Sequence, residues 1–245
     1  MRSYKIEGVV IRKRNFGEKD RILTIFSRER GKLEILSKGC RRPGSRLSHC
    51  SDLGVGGIFF VHKGKNLDIL GEFKSKFFPQ SVSGDYAKTK FISVIFAIMD
   101  KLFEIDHPHH KSYQSIVETI ENIDDVPVET LRIVFFSRII SDLGIQPQLS
   151  TCAFCGLNLS STEGIVYDEQ GEFYHTRCFE GENIILPNTI KYLKLIFTKN
   201  LAYVCKIKVA PEVLQQAKEY FLKNFIWHFG TNNANRVLFD IDNHE

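Results

Sequence analysis

Four side chains with metal-binding chemistry stand in two closely spaced pairs in the second half of the sequence. Cys152 and Cys155 are separated by two residues, and His175 and Cys178, with the same separation, follow after 19 intervening residues. Two such pairs let two loops present thiolate and imidazole donors to one tetrahedral Zn²⁺ ion, and four protein ligands leave no open coordination position. The spacing therefore predicts one structural zinc ion bound by Cys152, Cys155, His175 and Cys178.

Other uses of the cysteines fit the sequence less well. A redox-active C-x-x-C pair needs a strand-to-helix context that lowers the pKa of one thiol, and nothing between Thr151 and Leu157 predicts such a context. A zinc deaminase needs an H-x-E pair before its cysteine pair, whereas the histidine here follows the cysteines. Without an export signal a disulfide framework is not expected. Cys40, Cys50 and Cys205 are interpreted as ordinary thiols.

Cationic side chains are concentrated towards the N terminus. Residues 1–76 carry 18 Lys and Arg against 8 Asp and Glu, a net charge of +10, whereas residues 77–245 carry 15 against 21, a net charge of −6. Clustered cations suit nucleic acid, an acidic membrane surface or an acidic partner, because each neutralised phosphate releases condensed counterions. The alternative is a well-solvated basic domain that binds no such ligand.

The densest group of cations lies in residues 38–46, a loop that should follow the third strand. Glycine and serine between the cations would let backbone amides approach phosphates, and arginine side chains can bind two phosphate oxygens at once. Phe16, Phe59 and Phe60 could stack on bases, although aromatic residues on strands are more often core residues. The predicted nucleic-acid-binding residues are Arg12, Arg14, Lys19, Arg21, Lys38, Arg41, Arg42 and Arg46.

The first 76 residues predict strands that would position these cations. Short segments rich in β-branched and aromatic residues alternate with turn residues, and glycine stands at the expected hairpin reversals, Asn15–Gly17 and Arg30–Gly31. Five strands suit a barrel of the oligonucleotide-binding (OB) type, which strand count favours over an SH3-like barrel. The predicted strands are Ile6–Arg12, Arg21–Phe26, Leu33–Ser37, Ile58–Val61 and Leu67–Phe73.

From Asp85 the hydrophobic period changes from two to about 3.6 residues, which predicts helices. The predicted helices are Asp85–Glu104, Ser112–Ile123, Pro127–Leu143, Thr189–Phe197 and Pro211–Phe229. The fold class is therefore α+β and multidomain, with an N-terminal OB-fold barrel followed by a helical domain into which a zinc-binding module is inserted. The predicted ranges are 1–80 for the barrel, 81–149 and 186–245 for the helical domain, and 150–185 for the module.

Two broad classes of protein are not expected. No apolar segment approaches the roughly 18 to 20 residues that span a bilayer, which predicts a soluble cytoplasmic protein without a membrane partner. The sequence also lacks the phosphate-binding G-x-x-x-x-G-K-S/T motif, the G-x-S-x-G motif and the H-E-x-x-H motif. An enzyme is therefore not predicted.

An ordered set of segments is spread over essentially the whole chain: Glu7–Ile11, Asn15–Thr24, Gly31, Lys38–Arg42, Leu143–Leu149 with Cys152–Gly156, and Arg236–Leu238. The most specific of these are the first-strand region and the entry to the cysteine pair. Taken together, the segments resemble the RecO family of bacterial DNA repair proteins.

The resemblance implies a non-enzymatic mediator of homologous recombination. Members of the family bind single- and double-stranded DNA, anneal complementary strands, interact with RecR and with single-strand DNA-binding protein, and so help to load RecA. This would place the protein in the cytoplasm, associated with the nucleoid. A generic zinc-containing nucleic-acid-binding module, which could equally bind RNA, is the alternative.

Two positions depart from the family pattern. Zinc-containing members commonly have four cysteines, whereas His175 stands at the third position here and makes the predicted set Cys3His. The proline–aromatic pair expected after Leu53 is also missing, so strand positions near it are less well defined by sequence.

Overall fold

A computed structural model describes residues 3–77, 85–159 and 164–230. The chain divides into two compact units, Met1–Val128 and Glu129–Glu245. The domain boundaries proposed from sequence stay a prediction, and the first of them falls between the described ranges. The family-like segment Arg236–Leu238 lies outside the described residues.

Five strands in the first unit form a closed barrel in the order β1-β2-β3-β5-β4. All neighbouring pairs are antiparallel except β3 and β5, which run parallel over a short stretch. This confirms the predicted OB-like barrel. The strands are β1 (Ser3–Phe16), β2 (Asp20–Ser27), β3 (Gly31–Ser37), β4 (Gly56–His62) and β5 (Asp68–Phe77).

Side chains that alternate in direction along the strands fill the core of the barrel. In β3, Leu33 and Ile35 are buried while the alternate residues Lys32 and Glu34 are partly exposed, as a period of two requires. The long strand β1 pairs with both β2 and β4, and a bulge shifts its register with β2 between Val10 and Arg12. The buried core residues are Ile6, Val10, Leu23, Ile25, Leu33, Ile35, Cys50, Phe59, Val61 and Leu70.

The helices follow the predicted amphipathic segments closely. Asp85 caps the first helix by accepting hydrogen bonds from the backbone N–H groups of Ala87 and Lys88. A short helix at Leu201–Val204 was not predicted, because four residues are too few to show a helical period. The helices are α1 (Tyr86–Leu102), α2 (His110–Glu121), α3 (Val128–Asp142), α4 (Pro187–Thr198), α5 (Leu201–Val204) and α6 (Pro211–Phe229).

The segment after α1 packs against the barrel within the first unit. The Phe103 ring meets the edge of Phe26 at a centroid distance of 5.2 Å. Arg30 forms a two-point contact with Asp106, with Nε–Oδ1 and Nη2–Oδ2 distances of 2.6 Å. Asp106 adopts a left-handed backbone conformation, with φ of 62°. The ion pair and the aromatic contact together fix the path of this segment beside the β2–β3 turn.

The second unit contains a small sheet in the order β7-β6-β8. Its strands are β6 (Ile165–Tyr167), β7 (Phe173–His175) and β8 (Ile184–Ile185). Helix α6 supports the sheet, because the Tyr220 hydroxyl donates to the Gly171 carbonyl at 3.1 Å and the Asn224 amide donates to the Gln170 carbonyl at 3.1 Å. The hairpin that presents His175 is therefore held by a buried face of α6.

Within the described ranges, every helix is too short or too polar to cross a bilayer.

Gly31 provides a test of this packing. Its φ is +65°, and a Cβ at this position would lie 1.8 Å from the His107 carbonyl oxygen. Gly17 has a similar φ of +61°, but a Cβ there would meet nothing within 4 Å. Both alanine variants would share the cost of a left-handed conformation, about 1–2 kcal/mol, and only Gly31→Ala would add a backbone clash.

We therefore expect Gly31→Ala to lower the free energy of unfolding by about 1–3 kcal/mol more than Gly17→Ala does. Urea denaturation of the two variants measures the difference. Equal destabilisation would show that the backbone near His107 is not packed as described.

Candidate metal centre and nucleic-acid interface

Cys152 and Cys155 lie in a tight turn after α3. The backbone N–H of Gly156 donates to the Cys152 carbonyl at 2.9 Å, and the backbone N–H of Cys152 donates to the Leu157 carbonyl at 2.8 Å. These hydrogen bonds bend the chain back on itself. The turn therefore keeps the two sulfur atoms close together while the backbone polar groups remain paired.

The other two predicted ligands come from β7 and the turn that follows it. Position 175 is the last residue of β7, where it pairs with Ile165 of β6. The backbone N–H of Cys178 donates to the His175 carbonyl at 2.8 Å, which turns the Cys178 thiol back towards the strand end. His175 Nδ1 lies 3.4 Å from Cys155 Sγ and 4.0 Å from Cys178 Sγ.

The four donor atoms fit a metal ion. All of them lie within 4.8 Å of one another. Tetrahedral zinc with ordinary Zn–S and Zn–N bond lengths would place its ligand atoms about 3.6–3.8 Å apart, and the two histidine–sulfur distances lie on either side of this range. The Nε2 atom of His175 is 3.1 Å from the Asn158 carbonyl, a contact that orients the ring with Nδ1 towards the thiols.

The surroundings of Cys152 favour its thiolate. Burial raises the pKa of this thiol, but hydrogen bonds from the backbone around Cys155, His175 and Phe154 outweigh burial and lower the pKa to about 6. The pKa of Cys178 is raised, first by burial and then by the neighbouring Cys155 and Cys152. Negative charge is thus crowded among the sulfurs, and a divalent cation would neutralise it. The Cys3His cluster could hold a metal ion.

Three of the eight predicted nucleic-acid-binding residues are bound within the protein. Arg12 and Arg14 both pair with Glu34, at 2.9 and 3.3 Å, and Arg12 also lies 3.3 Å from Asp100. The half-buried Arg21 donates to the Ser51 hydroxyl at 2.7 Å and lies 3.7 Å from Asp52. Each of these three charges is therefore partly compensated within the protein.

The other five predicted residues are exposed, and none of them forms an ion pair with any residue that the structure describes. We call them the loop cations: Lys19, Lys38, Arg41, Arg42 and Arg46. All lie in the β1–β2 turn or in the segment that leaves β3. They are the cations of the predicted set that remain available to phosphate groups.

Hydrogen bonds bring the two parts of this surface together. The backbone N–H of Arg41 donates to the Lys19 carbonyl at 3.0 Å, and its guanidinium donates to the Gly17 carbonyl at 3.2 Å. The backbone N–H of Gly39 donates to the Asp20 carboxylate at 2.7 Å. The segment after β3 therefore lies against the β1–β2 turn at one end of the barrel.

The three aromatic candidates for base stacking differ in position. Phe59 is fully buried in the barrel core, which confirms the core alternative for this residue and leaves it no face for base stacking. Phe60 is half-buried, and Lys74 Nζ lies 5.4 Å from its ring centroid. Phe16 is 48% exposed at the end of β1, directly before the turn that contains Lys19.

Sequence reasoning missed the groups that support these sites. The Asn158 carbonyl that orients His175 is a backbone group, so its role cannot be recognised from the residue type. Glu34 and Asp52 compensate arginines distant in sequence, and only the strand register and loop path bring them together. Opposite charges on neighbouring predicted strands could have suggested Glu34, but not Asp52 or the Asn158 carbonyl.

Known proteins resemble the chain along most of its length. The family model described as the N-terminal part of recombination protein O matches residues 1–76, and the model described as its C-terminal part matches residues 83–232. The DNA repair protein RecO of Bacillus cytotoxicus is 28% identical over 219 residues, covering 87% of each chain. The proteins of the same name from Bacillus cereus strain B4264 and Bacillus anthracis strain CDC 684 are 27% identical with the same coverage. The chain therefore belongs to the RecO family of DNA repair proteins.

Proposed function

We propose that this protein is a recombination mediator that binds single- and double-stranded DNA and anneals complementary strands. In this proposal it acts with RecR on strands coated by single-strand DNA-binding protein, assists RecA loading, and works in the cytoplasm on nucleoid DNA. The observation that carries the proposal is the set of five exposed loop cations at one end of an OB-like barrel. Family membership supports the choice of DNA repair as the setting.

A cationic surface can promote annealing without a catalytic centre. Two DNA strands repel each other, and cations that contact their phosphates lower this repulsion while releasing condensed counterions. Base pairing then supplies sequence specificity, so the protein needs no contacts that read base edges. Phe16 beside the turn could add a stacking contact to one strand. The proposal is accordingly non-enzymatic.

We further propose that the metal is a single structural Zn²⁺ ion. Three thiolates and one imidazole suit zinc better than magnesium or calcium, which prefer oxygen ligands. Cys152, Cys155, His175 and Cys178 would supply all four positions, and this would tie the turn after α3 to the end of β7. An inserted module at residues 150–185 would then be held by the ion and by α6.

Annealing of complementary oligonucleotides tests the proposed function. We expect the protein to accelerate annealing by about tenfold or more without ATP, because neutralised phosphates let the two strands approach each other. The acceleration should occur both on bare strands and when one strand is coated by single-strand DNA-binding protein. Fluorescence quenching between labelled strands follows the reaction. DNA binding without annealing would instead indicate a generic nucleic-acid-binding module.

The loop cations can be tested against the compensated arginines. Arg41→Ala/Arg42→Ala should weaken DNA binding for all sequences and reduce the slope of log K against log salt by about 1–2, close to one unit for each lost phosphate contact. Arg12→Ala/Arg14→Ala removes the same charge, but from residues that pair with Glu34, and should change the slope by less than about half of that amount. Fluorescence anisotropy at several salt concentrations gives both slopes. A larger change in the control pair would place the DNA path along β1.

Metal content tests the zinc proposal. Mass spectrometry of the purified protein should find about one zinc per chain. Cys178→Ser should remove most of it and lower the melting temperature, because the ion links two separate turns. His175→Cys should retain zinc, since four cysteines also form a structural site, and Cys205→Ser should retain it as a control outside the cluster. Far less than one zinc in the unaltered protein would contradict the proposal.

A further inference from the structure

A groove of about 600 Å³ opens in the second unit beside the small sheet. It lies between the end of β6, the segment 179–183 and the C-terminal part of α6. Tyr167, Phe179, Ile226 and Trp227 give it a largely apolar lining. Trp227 is 48% exposed at this apolar lining, and an exposed apolar surface with a polar rim is typical of a protein-interaction site.

Acidic side chains surround this apolar surface. Asp168, Glu169, Glu180 and Glu182 line the groove against a single cation, Lys223. The carboxylate of Asp168 is used by the protein itself, since it accepts hydrogen bonds from the backbone N–H groups of residues 170 and 172 and from the Tyr174 hydroxyl. Glu169, Glu180 and Glu182 are exposed and form no ion pair with residues in the described ranges.

The groove already accommodates one cation of the chain. Lys223 Nζ lies 6.0 Å from the centroid of the Tyr167 ring and donates to the Asn183 side-chain carbonyl. A cation over an aromatic face is attracted by the negative charge of the ring, and arginine stacks on tryptophan and phenylalanine in the same way. The exposed face of Trp227 and the ring of Phe179 offer further positions of this kind.

We propose that this groove is a docking site for a basic segment of a protein partner. Lysine or arginine side chains of that segment would contact the three unpaired glutamates, while their alkyl stems and guanidinium planes would pack on Trp227 and Phe179. The inference goes beyond the proposed DNA function and does not depend on it. It joins two independent features, an exposed aromatic surface and a rim of uncompensated negative charge.

Charge argues against two other occupants. Nucleic acid would bring its phosphates against the carboxylates, and nothing in the groove but Lys223 would offset that repulsion. Residues 231–245 follow α6 directly, but they carry one arginine against three acidic residues, so they lack the complementary charge. A basic polypeptide satisfies both the rim and the aromatic lining.

The single tryptophan of the chain reports on this groove directly. The probe is a blocked hexapeptide of alternating lysine and arginine, which has no fluorescence of its own, titrated into the full-length protein. We expect a saturable change in Trp227 emission that weakens with added salt. A hexapeptide of glutamate serves as the control and should produce no saturable change.

Matched variants distinguish peptide binding in the groove from a general effect of the negative charge of the protein. Glu180→Gln/Glu182→Gln should weaken peptide binding about fivefold, on the scale of two exposed ion pairs. Glu121→Gln/Glu212→Gln removes the same charge from exposed positions that do not line the groove, and should leave binding unchanged. Amide replacement keeps the shape of each side chain, so folding should be unaffected.

Several results would overturn the proposal. These are the absence of a saturable change with the basic peptide, equal weakening in both variant pairs, or tighter binding of a single-stranded oligonucleotide at Trp227. Self-association of the unaltered protein that the Glu180→Gln/Glu182→Gln variant abolishes would also overturn it, because the occupant would then be a second copy of this chain. Loss of annealing activity alone would bear on the proposed DNA function and not on this groove.

Discussion

Closure of the barrel between β1 and β4 is the constraint on which the proposed nucleic-acid interface depends. Because β4 pairs with β1 and β5, it cannot lie beside β3, which pairs with β2 and β5. The chain that leaves β3 at Ser37 must therefore cross one end of the barrel before β4 begins at Gly56. Residues 38–55 make this crossing, and their first part contains most of the loop cations. Sheet topology thus determines where the exposed positive charge lies.

The crossing segment is held in place by side chains that the strands supply. Asp20 accepts a hydrogen bond from Gly39, Arg21 donates to Ser51, and Lys13 pairs with Asp52 at 2.8 Å. Some charged side chains of the barrel therefore hold the crossing segment in place, whereas the loop cations remain exposed. The distinction between paired and exposed cations explains how a barrel with many arginines leaves one main cationic surface exposed.

Much of the architecture could be predicted from sequence because it depends on local periodicity. The strands follow from hydrophobic alternation and the main helices from the helical period. The Cys3His cluster follows from ligand types and spacing, which can be recognised without knowledge of the packing. Phe59 and Phe60 show where this reasoning ends. Both are aromatic and adjacent, and only the absolute direction of the pleat decides that Phe59 enters the core. The pairing of Arg12 with Glu34 likewise depends on the register of β1, β2 and β3.

The second unit combines a candidate metal centre and an acidic groove in one small region. The Cys3His cluster lies at the end of β7, α6 supports the same small sheet, and the sheet and helix form the walls of the acidic groove beside Tyr167. Rigid support of this kind lowers the entropic cost of binding, because the walls are already ordered. The basic barrel and the acidic groove, which belong to separate units, would then bind ligands of opposite charge.

Hydrogen–deuterium exchange of the full-length protein, with and without a single-stranded oligonucleotide, tests the central claim most directly. If the loop cations form the DNA interface, DNA should slow the exchange of backbone amides in residues 38–46 and in the β1–β2 turn, while amides in the core of β2 exchange as before. Unchanged exchange in residues 38–46, together with protection elsewhere, would contradict the account.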